Sequence, residues 1–242
     1  MTVPLRALLL SAGLGTRLRP LTLHLPKCLV PIAGEPLLGI WLKKLELLGC
    51  EMTLINTHYL NDQVDQFINS WVSKSMVIKT DYEPVLLGTA GTLLKNSSFF
   101  SDSTGLLIHS DNVTSTDLKE LLNAHSQKPS HCLLTMLTFT SSAPQSCGIV
   151  ETDERGVVQA FHEKVDNPPG NNANGAVYVF DKPFLNWLTS LDENISDFST
   201  EVLPKLLGRI QTWKTAQPYI DIGTKEALEE AHLIFGDLDL NQ

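Results

Sequence analysis

The hydrophobic pattern opens with a continuous apolar run at Leu5–Leu10, as expected of a strand buried on both faces. It stops at Ser11-Ala12-Gly13-Leu14-Gly15, whose glycines predict a loop. After Pro31 and Pro36 the period changes to three and four. Leu37, Leu38, Trp41, Leu42, Leu45 and Leu48 mark a helix face, with Lys43, Lys44 and Glu46 between them and Gly49 as its stop. A second strand is predicted over 52–56, then a helix capped by Asn61 that carries Val64, Phe67, Ile68 and Trp71 on one face. Strands follow at 76–79 and 106–109, a helix at 118–124 and a long strand at 132–140.

Beyond this point the pattern changes. Residues 148–152 and 157–161 flank Asp153-Glu154-Arg155-Gly156, a hairpin signal. Another strand is expected at 176–180, helical stretches at 183–191 and 200–207, and a last helix capped by Thr224 and running to Phe235. Alternating strands and helices predict a mostly parallel sheet covered by helices on both faces, which the hairpin makes mixed. No repeat or interdomain linker stands out, so residues 1–242 are expected to form one domain, with 1–112 mainly for one ligand and 113–242 mainly for another.

At 43% hydrophobic content, 242 residues can bury a core without disulfides or a structural metal. No apolar run approaches the roughly 20 residues that cross a bilayer, so no membrane association is expected. Cys28, Cys50, Cys132 and Cys147 are widely spaced, which fits reduced thiols in a cytoplasmic protein better than a disulfide frame or a zinc site. The net charge of −9 argues against nucleic acid as a partner. Its distribution is uneven: residues 1–34 hold Arg6, Arg17, Arg19 and Lys27 and no acid, so this segment is +4 and the remainder −13. Taken alone, that imbalance fits either chance or a receptor for a small polyanion.

The loop after the first strand reads Gly13-Leu14-Gly15-Thr16-Arg17-Leu18-Arg19-Pro20-Leu21-Thr22. Glycines allow backbone N–H groups to approach a phosphate, and an arginine can fork onto its oxygens. It is neither the dinucleotide fingerprint nor a P-loop. Asp111, read alone, is first a residue that caps the loop after a strand. Asp221 lies between Ile220 and Ile222, an unusual place for a solvated carboxylate; burial toward a cation is the expected reason, with a paired structural Asp as the alternative.

The long loop string, followed by Pro26-Lys27-Cys28-Leu29-Val30-Pro31-Ile32-Ala33-Gly34-Glu35-Pro36-Leu37, closely resembles the signature of the sugar-1-phosphate nucleotidyltransferases. The resemblance runs from about Leu5 to Leu233 and implies a Rossmann-like α/β fold of the nucleotide-diphospho-sugar transferase type, without the β-helical tail that some relatives carry. It implies that Ser11, Ala12, Gly13, Gly15, Thr16, Arg17 and Lys27 bind a nucleoside triphosphate, with Arg17 on the β and γ phosphates and Lys27 on the α-phosphate. It places Glu83, Gly88 and Thr89 in the base-recognition segment, whose Leu87-Gly88-Thr89-Ala90-Gly91 form is most like the guanylyltransferases. Asp111 and Asp221 match the two ligands of a catalytic Mg²⁺, while Asn112, Gly148, Glu163, Lys164 and Asn174 correspond to contacts with a sugar 1-phosphate. Arg17, Lys27, Asp111 and Asp221 are therefore the expected catalytic set. Ser11, Ser110 and Cys28 depart mildly from the pattern.

The chemistry is coherent without the family. An anionic oxygen must approach an anionic phosphorus, so cations must cancel the repulsion and the reactants must be held in line. The attacking phosphate is already ionised, so no catalytic His, Ser or Cys is expected. GTP and a manno-configured hexose or heptose 1-phosphate are the favoured substrates. A uridylyl- or thymidylyltransferase is the alternative, because residues 21–37 also resemble amino-sugar uridylyltransferases. A glycosyltransferase would usually carry Asp-x-Asp, whereas Asn112 and Val113 follow Asp111. A lipid-type cytidylyltransferase should lack the Glu163-Lys164 segment. A non-catalytic nucleotide-sensing subunit could have lost its metal ligands. Whether the chain forms a homo-oligomer is left open.

Overall fold

A computed structural model describes residues 3–191 and 194–236. The chain begins with β1 (Leu5–Leu10), the short strands β2 (Pro31–Ile32) and β3 (Glu35–Pro36), and α1 (Leu37–Leu47). It continues through β4 (Met52–Thr57), α2 (Asn61–Ser70), β5 (Val77–Tyr82), α3 (Gly88–Lys95), β6 (Thr104–His109), β7 (Asn112–Thr114) and α4 (Leu118–Ser126). Then come β8 (Leu134–Thr140), β9 (Gly148–Thr152), β10 (Val158–Glu163), β11 (Asn172–Phe180) and α5 (Lys182–Leu188). The last elements are β12 (Ile210–Lys214), β13 (Tyr219–Asp221) and α6 (Lys225–Phe235). The mixed sheet with helices is the α/β class expected from the sequence.

The residues group into two compact units. One comprises Leu5–Leu86, Ile108–Asp117 and Gln217–Gln242; the other comprises Met1–Pro4, Leu87–Leu107 and Leu118–Ala216. Both are discontinuous, so neither coincides with a division of the chain at residue 112.

In the first unit β1, β4 and β5 pair in parallel, with Leu8 opposite Leu54 and Ile55 opposite Thr80. Ala7, Leu8 and Leu9 are fully buried, which accounts for the unbroken apolar run. A second core gathers Leu18, Val30, Ile32, Leu37, Ile40, Val113, Ile220, Ile222, Ala231 and Phe235. Leu18, Val113, Ile220 and Ile222 are chain neighbours of Arg17, Asn112 and Asp221, and that is how the site is held. Thr224 caps α6 as expected, its side chain accepting from the Ala227 N–H. Asn61 does not cap α2. Leu60 holds that position with φ 51°, and the Asn61 side chain instead accepts from Thr57 Oγ1 and donates to Asp65.

In the second unit β8 pairs antiparallel with β11 and parallel with β12, while β9 pairs antiparallel with β10 and with β11. The hairpin forms as predicted: the Asp153 side chain accepts from the Arg155 and Val157 N–H groups, and Gly156 takes a positive φ of 76°. The strand expected at 176–180 begins earlier, at Asn172. Its register shifts between Asn174 and Tyr178, and Ala176 has a positive φ of 53°, so the apolar alternation is broken there. The helix expected over 200–207 is a π turn, Phe198–Val202, followed by a 3-10 turn, Leu203–Leu206. Pro204 has no N–H to continue an α-helix, which explains the difference.

Candidate active site

In the first unit, β7 and β13 form an antiparallel ribbon in which Asp221 lies opposite Asn112 and Ile220 opposite Val113. The Ile222 N–H donates to the Asp111 carbonyl at 2.9 Å. Residues 111 positions apart thereby become neighbours. Strand alternation then divides their roles, because successive side chains point to opposite faces. Ile220 and Ile222 go into the core, and Asp221 points away with a side chain 51% exposed. The expectation that Asp221 is buried toward a cation is corrected on this point: its isoleucine neighbours follow from the pleat.

Between the two aspartates lies Lys27. Its Nζ donates to Asp111 Oδ2 at 2.5 Å and lies 3.9 Å from Asp221 Oδ1. The Lys27 side chain is 10% exposed and that of Asp111 32%. Lys27 opens a 3-10 turn after Pro26, and the turn is anchored by the buried Cys28, Leu29 and Val30. Burial pushes the Asp111 carboxyl upward. The Lys27 charge, the nearby His109 and the Lys27 hydrogen bond together outweigh this and hold it below the ordinary carboxylate value. The Trp41 indole donates to the Asn112 carbonyl at 2.8 Å, so a helix residue that looked purely apolar braces the segment next to Asp111.

The glycine loop packs against the same place. Gly15 has φ +60°, its carbonyl accepts from Thr22 Oγ1 at 2.7 Å, and a Cβ on it would lie 3.1 Å from Lys27 Cβ. A Cβ on Gly223 would lie 2.9 Å from a guanidinium nitrogen of Arg17, so Arg17 covers the backbone just after Asp221. Leu18 is buried while Thr16 and Arg17 are exposed, and this fixes which side of the loop faces outward. Gly13 is exposed, with nothing within 4 Å of where a Cβ would be, whereas Ala12 is buried.

Other expected nucleotide residues do internal work. The Ser11 N–H donates to Asn56 Oδ1 at 2.7 Å, its hydroxyl donates to Ser110 Oγ at 2.8 Å, and Asn56 donates to Glu83 Oε1 at 3.0 Å. Glu83 is buried and ties the ends of β1, β4 and β5 together through Asn56. Asn56 was missed from sequence, although an Asn directly after Leu54 and Ile55 near the end of a strand is a visible signal. Asn112 is buried, its amide donating to the His109 carbonyl, and so acts as a brace here.

In the second unit, Glu163 of β10 pairs with Gly148 of β9, and a Cβ on Gly148 would lie 2.7 Å from the Glu163 carboxylate. Lys164 has φ 49°, donates its N–H to the Cys147 carbonyl, and ion-pairs with Glu163 at 3.2 Å through a largely exposed side chain. Ala173 pairs with Ile149, which brings Asn174 alongside. The Asn174 amide donates to the Tyr178 hydroxyl at 2.7 Å, and its Oδ1 accepts from the Ala176 N–H. Tyr178 is fully buried, and that burial pushes its hydroxyl well above the ordinary value. Sequence reasoning took it as part of a strand and missed this contact. Gly88 and Thr89 stand elsewhere in the unit: the Ala90 N–H donates to the Ser196 carbonyl at 2.8 Å, and Thr89 Oγ1 accepts from the Phe198 N–H at 2.7 Å. A Cβ on Gly88 would meet the Ser196 carbonyl at 2.4 Å, so packing alone accounts for that glycine.

Two carboxylates converge on one cation, the Lys27 ammonium. Among the described residues no group of three or more His, Cys, Asp or Glu is gathered for a metal. An ion held here would take two protein carboxylates and draw its remaining oxygens from substrate and water, a donor set that suits Mg²⁺. The Cys28 and Cys50 thiols are poor nucleophiles, because burial pushes Cys28 up to about 12 and Cys50 to about 11. Among the described residues no helix is long and apolar enough to cross a membrane.

The fold is shared with a putative glucose-1-phosphate thymidylyltransferase from Bacillus anthracis, solved in complex with sucrose: TM-score 0.86, 19% identity, covering 97% of this chain and 96% of that one. The family model described as Nucleotidyl transferase matches residues 6–236, and the chain belongs to that family. Relatives include a mannose-1-phosphate guanylyltransferase of Mycobacterium tuberculosis, 30% identical over 91% of this chain and 61% of that protein. A UTP–glucose-1-phosphate uridylyltransferase of Synechocystis is 26% identical over 84% of this chain and 55% of that protein. The chain thus spans little more than half the length of these relatives.

Proposed function

We propose that the chain transfers a nucleotidyl group from a nucleoside triphosphate to a sugar 1-phosphate, releasing pyrophosphate. The observation that carries this reading is the convergence of Lys27, Asp111, Asp221 and Arg17 at the foot of the glycine loop. Asp111 and Asp221 would hold Mg²⁺, which when bound neutralises charge on the reacting phosphates. Arg17, exposed and lying over Gly223, can fork onto the terminal phosphates. Lys27 meets charge at the α-phosphate as the sugar phosphate attacks. No side chain needs to remove a proton, since the nucleophile is already an anion and pyrophosphate leaves as one. Gly148, Glu163, Lys164 and Asn174 would receive the sugar phosphate, with Lys164 supplying positive charge and Glu163 a carboxylate for hydroxyl groups.

For substrates we favour GTP and a manno-configured hexose or heptose 1-phosphate. The Leu87-Gly88-Thr89-Ala90-Gly91 segment and the likeness to a mannose-1-phosphate guanylyltransferase support this. A uridylyltransferase is the alternative, favoured by the likeness to the Synechocystis enzyme. Incubating the chain with Mg²⁺, each of five nucleoside triphosphates and a panel of sugar 1-phosphates, and measuring pyrophosphate, tests both. Release that requires both substrates is expected, highest with GTP. Nucleotide binding without turnover for any pair would instead identify a nucleotide sensor.

A further inference from the structure

We propose that Lys27 has a second role. In the metal-free chain its ammonium is the resident counter-ion of Asp111 and Asp221, so a divalent cation binds the free chain weakly and enters when a nucleotide draws Lys27 away. The inference rests on the reading of Asp111 and Asp221 as metal ligands.

Three observations carry it. The Lys27 Nζ lies 2.5 Å from Asp111 Oδ2 and 3.9 Å from Asp221 Oδ1, the carboxylates a metal ion would need. A divalent ion at the usual distance of about 2.0–2.1 Å from a carboxylate oxygen would compete with the ammonium for those oxygens and repel it. The Lys27 stem is also fixed: Gly15 presses close to its Cβ, and Pro26, Cys28 and Leu29 are buried on either side. Withdrawing the backbone would expose this buried packing, whereas turning the flexible end of the side chain would not.

The charge balance points the same way. Among the three groups in contact, one ammonium leaves the two carboxylates with a net charge of −1 and removing it leaves −2, with the exposed Arg17 guanidinium set apart over Gly223. Adding a divalent ion while Lys27 stays would put three positive charges against two negative ones. A triphosphate supplies new anionic oxygens for Lys27 and for the ion at once, so metal and nucleotide bind with positive coupling. The lysine that serves the α-phosphate thereby also disfavours loading of the site by a metal without its nucleotide.

The test is binding of Mn²⁺ alone to the full chain without nucleotide, followed by loss of the free-ion electron paramagnetic resonance signal. Lys27→Met keeps the length of the stem and removes the charge, and should bind one Mn²⁺ on the order of tenfold to a hundredfold more tightly than the wild type. Adding Asp111→Asn and Asp221→Asn to Lys27→Met should abolish that gain, which separates the site from weak binding to an acidic surface. A thermal melt gives a second readout: Mn²⁺ should raise the midpoint of Lys27→Met more than that of the wild type. Lys27→Ala repeats both measurements should Lys27→Met fold poorly. If the wild type binds one Mn²⁺, dependent on Asp111, as tightly as Lys27→Met does, the second role is wrong and the metal reading stands. If no variant binds Mn²⁺ at Asp111 and Asp221 even with a non-hydrolysable nucleotide present, the metal reading falls as well.

Discussion

Asp221, Arg17 and Gly15 are three residues whose neighbours make three different predictions. Asp221 is exposed, and the core on its flanks is made by Ile220 and Ile222. Asp221→Asn should therefore leave the melting temperature nearly unchanged while lowering kcat on the order of a hundredfold, as loss of a carboxylate that would hold the charge-neutralising metal does. Near-normal turnover at limiting Mg²⁺ would remove it from the metal site. Arg17→Ala should raise KM for the nucleotide roughly tenfold or more, the scale of a lost charge-assisted hydrogen bond, and change KM for the sugar phosphate little. An equal loss for both would show that the guanidinium does not meet the triphosphate. Gly15→Ala is a structural lesion: φ +60° strains any L side chain, and the new Cβ would meet Thr22 Cγ2 at 2.9 Å. A loss of about 1–3 kcal/mol is expected, read as a lower urea midpoint. Gly15 was legible in the sequence because the turn demands its backbone freedom, and Lys27 was singled out through the resemblance of the string that carries it. The roles of Asn56 and Trp41 were not legible, because they act through hydrogen bonds to residues distant along the chain, and that of Tyr178 was not, because its contact with Asn174 depends on the register shift within β11.

Elements were legible where one face meets a core and lost where tertiary contacts fix the backbone. β1, α1, α6 and the β9–β10 hairpin follow from apolar period, caps and turn residues. The ribbon of β7 and β13 has only three residues in each strand, too few to show a period, yet it carries Asp221 and starts directly after Asp111. α3 was hidden because glycines at 88 and 91 weaken its helix signal, while contacts with Ser196 and Phe198 hold it. A fourth prediction belongs at this level. Asp181, between β11 and α5, receives hydrogen bonds from His125 Nε2 of α4 at 3.0 Å and from Thr104 of β6 at 2.9 Å, with Lys128 at 3.3 Å. The other ring nitrogen of His125 meets Thr135 of β8 at 2.8 Å. The His125 hydrogen bond, opposed by burial and helped by the His125 charge, Thr104 and Lys128, holds the Asp181 carboxyl far below its ordinary value. A depressed carboxylate stabilises the fold above the unfolded value of about 3.9, and that contribution is lost as pH falls toward the native value. Asp181→Asn should therefore be less stable than the wild type at pH 7 and lose less stability on acidification to pH 3.5, as measured by urea midpoints. Parallel pH curves would show that this network does not couple four elements through charge.

At the level of the whole chain, function and folding set different divisions. Reading along the sequence separates a nucleotide-facing half, 1–112, from a sugar-facing half, 113–242. Compactness instead selects a unit assembled from Leu5–Leu86, Ile108–Asp117 and Gln217–Gln242. The reason lies in the core under the site. Of its ten members, Val113, Ile220, Ile222, Ala231 and Phe235 come after residue 112. Burying the four larger ones is worth about 6–12 kcal/mol in all, at roughly 1.5–3 kcal/mol each. That is the scale of the whole net stability of a domain, about 5–15 kcal/mol. The same cut removes Asp221, which is the β13 partner of Asn112, so it breaks the site and its support together. A fragment of residues 1–112 should consequently show no cooperative thermal transition and no near-ultraviolet circular dichroism of a packed Trp41. It should also bind no Mn²⁺ with nucleotide, because one of the two carboxylates is missing. A fragment that melts cooperatively and retains a fixed Trp41 environment would mean that the distant C-terminal strand and helix are additions to a core that is already sufficient. The observed packing argues the reverse: the hydrophobic residues flanking Asp221 help to build the cluster against which Lys27 and the glycine loop are set.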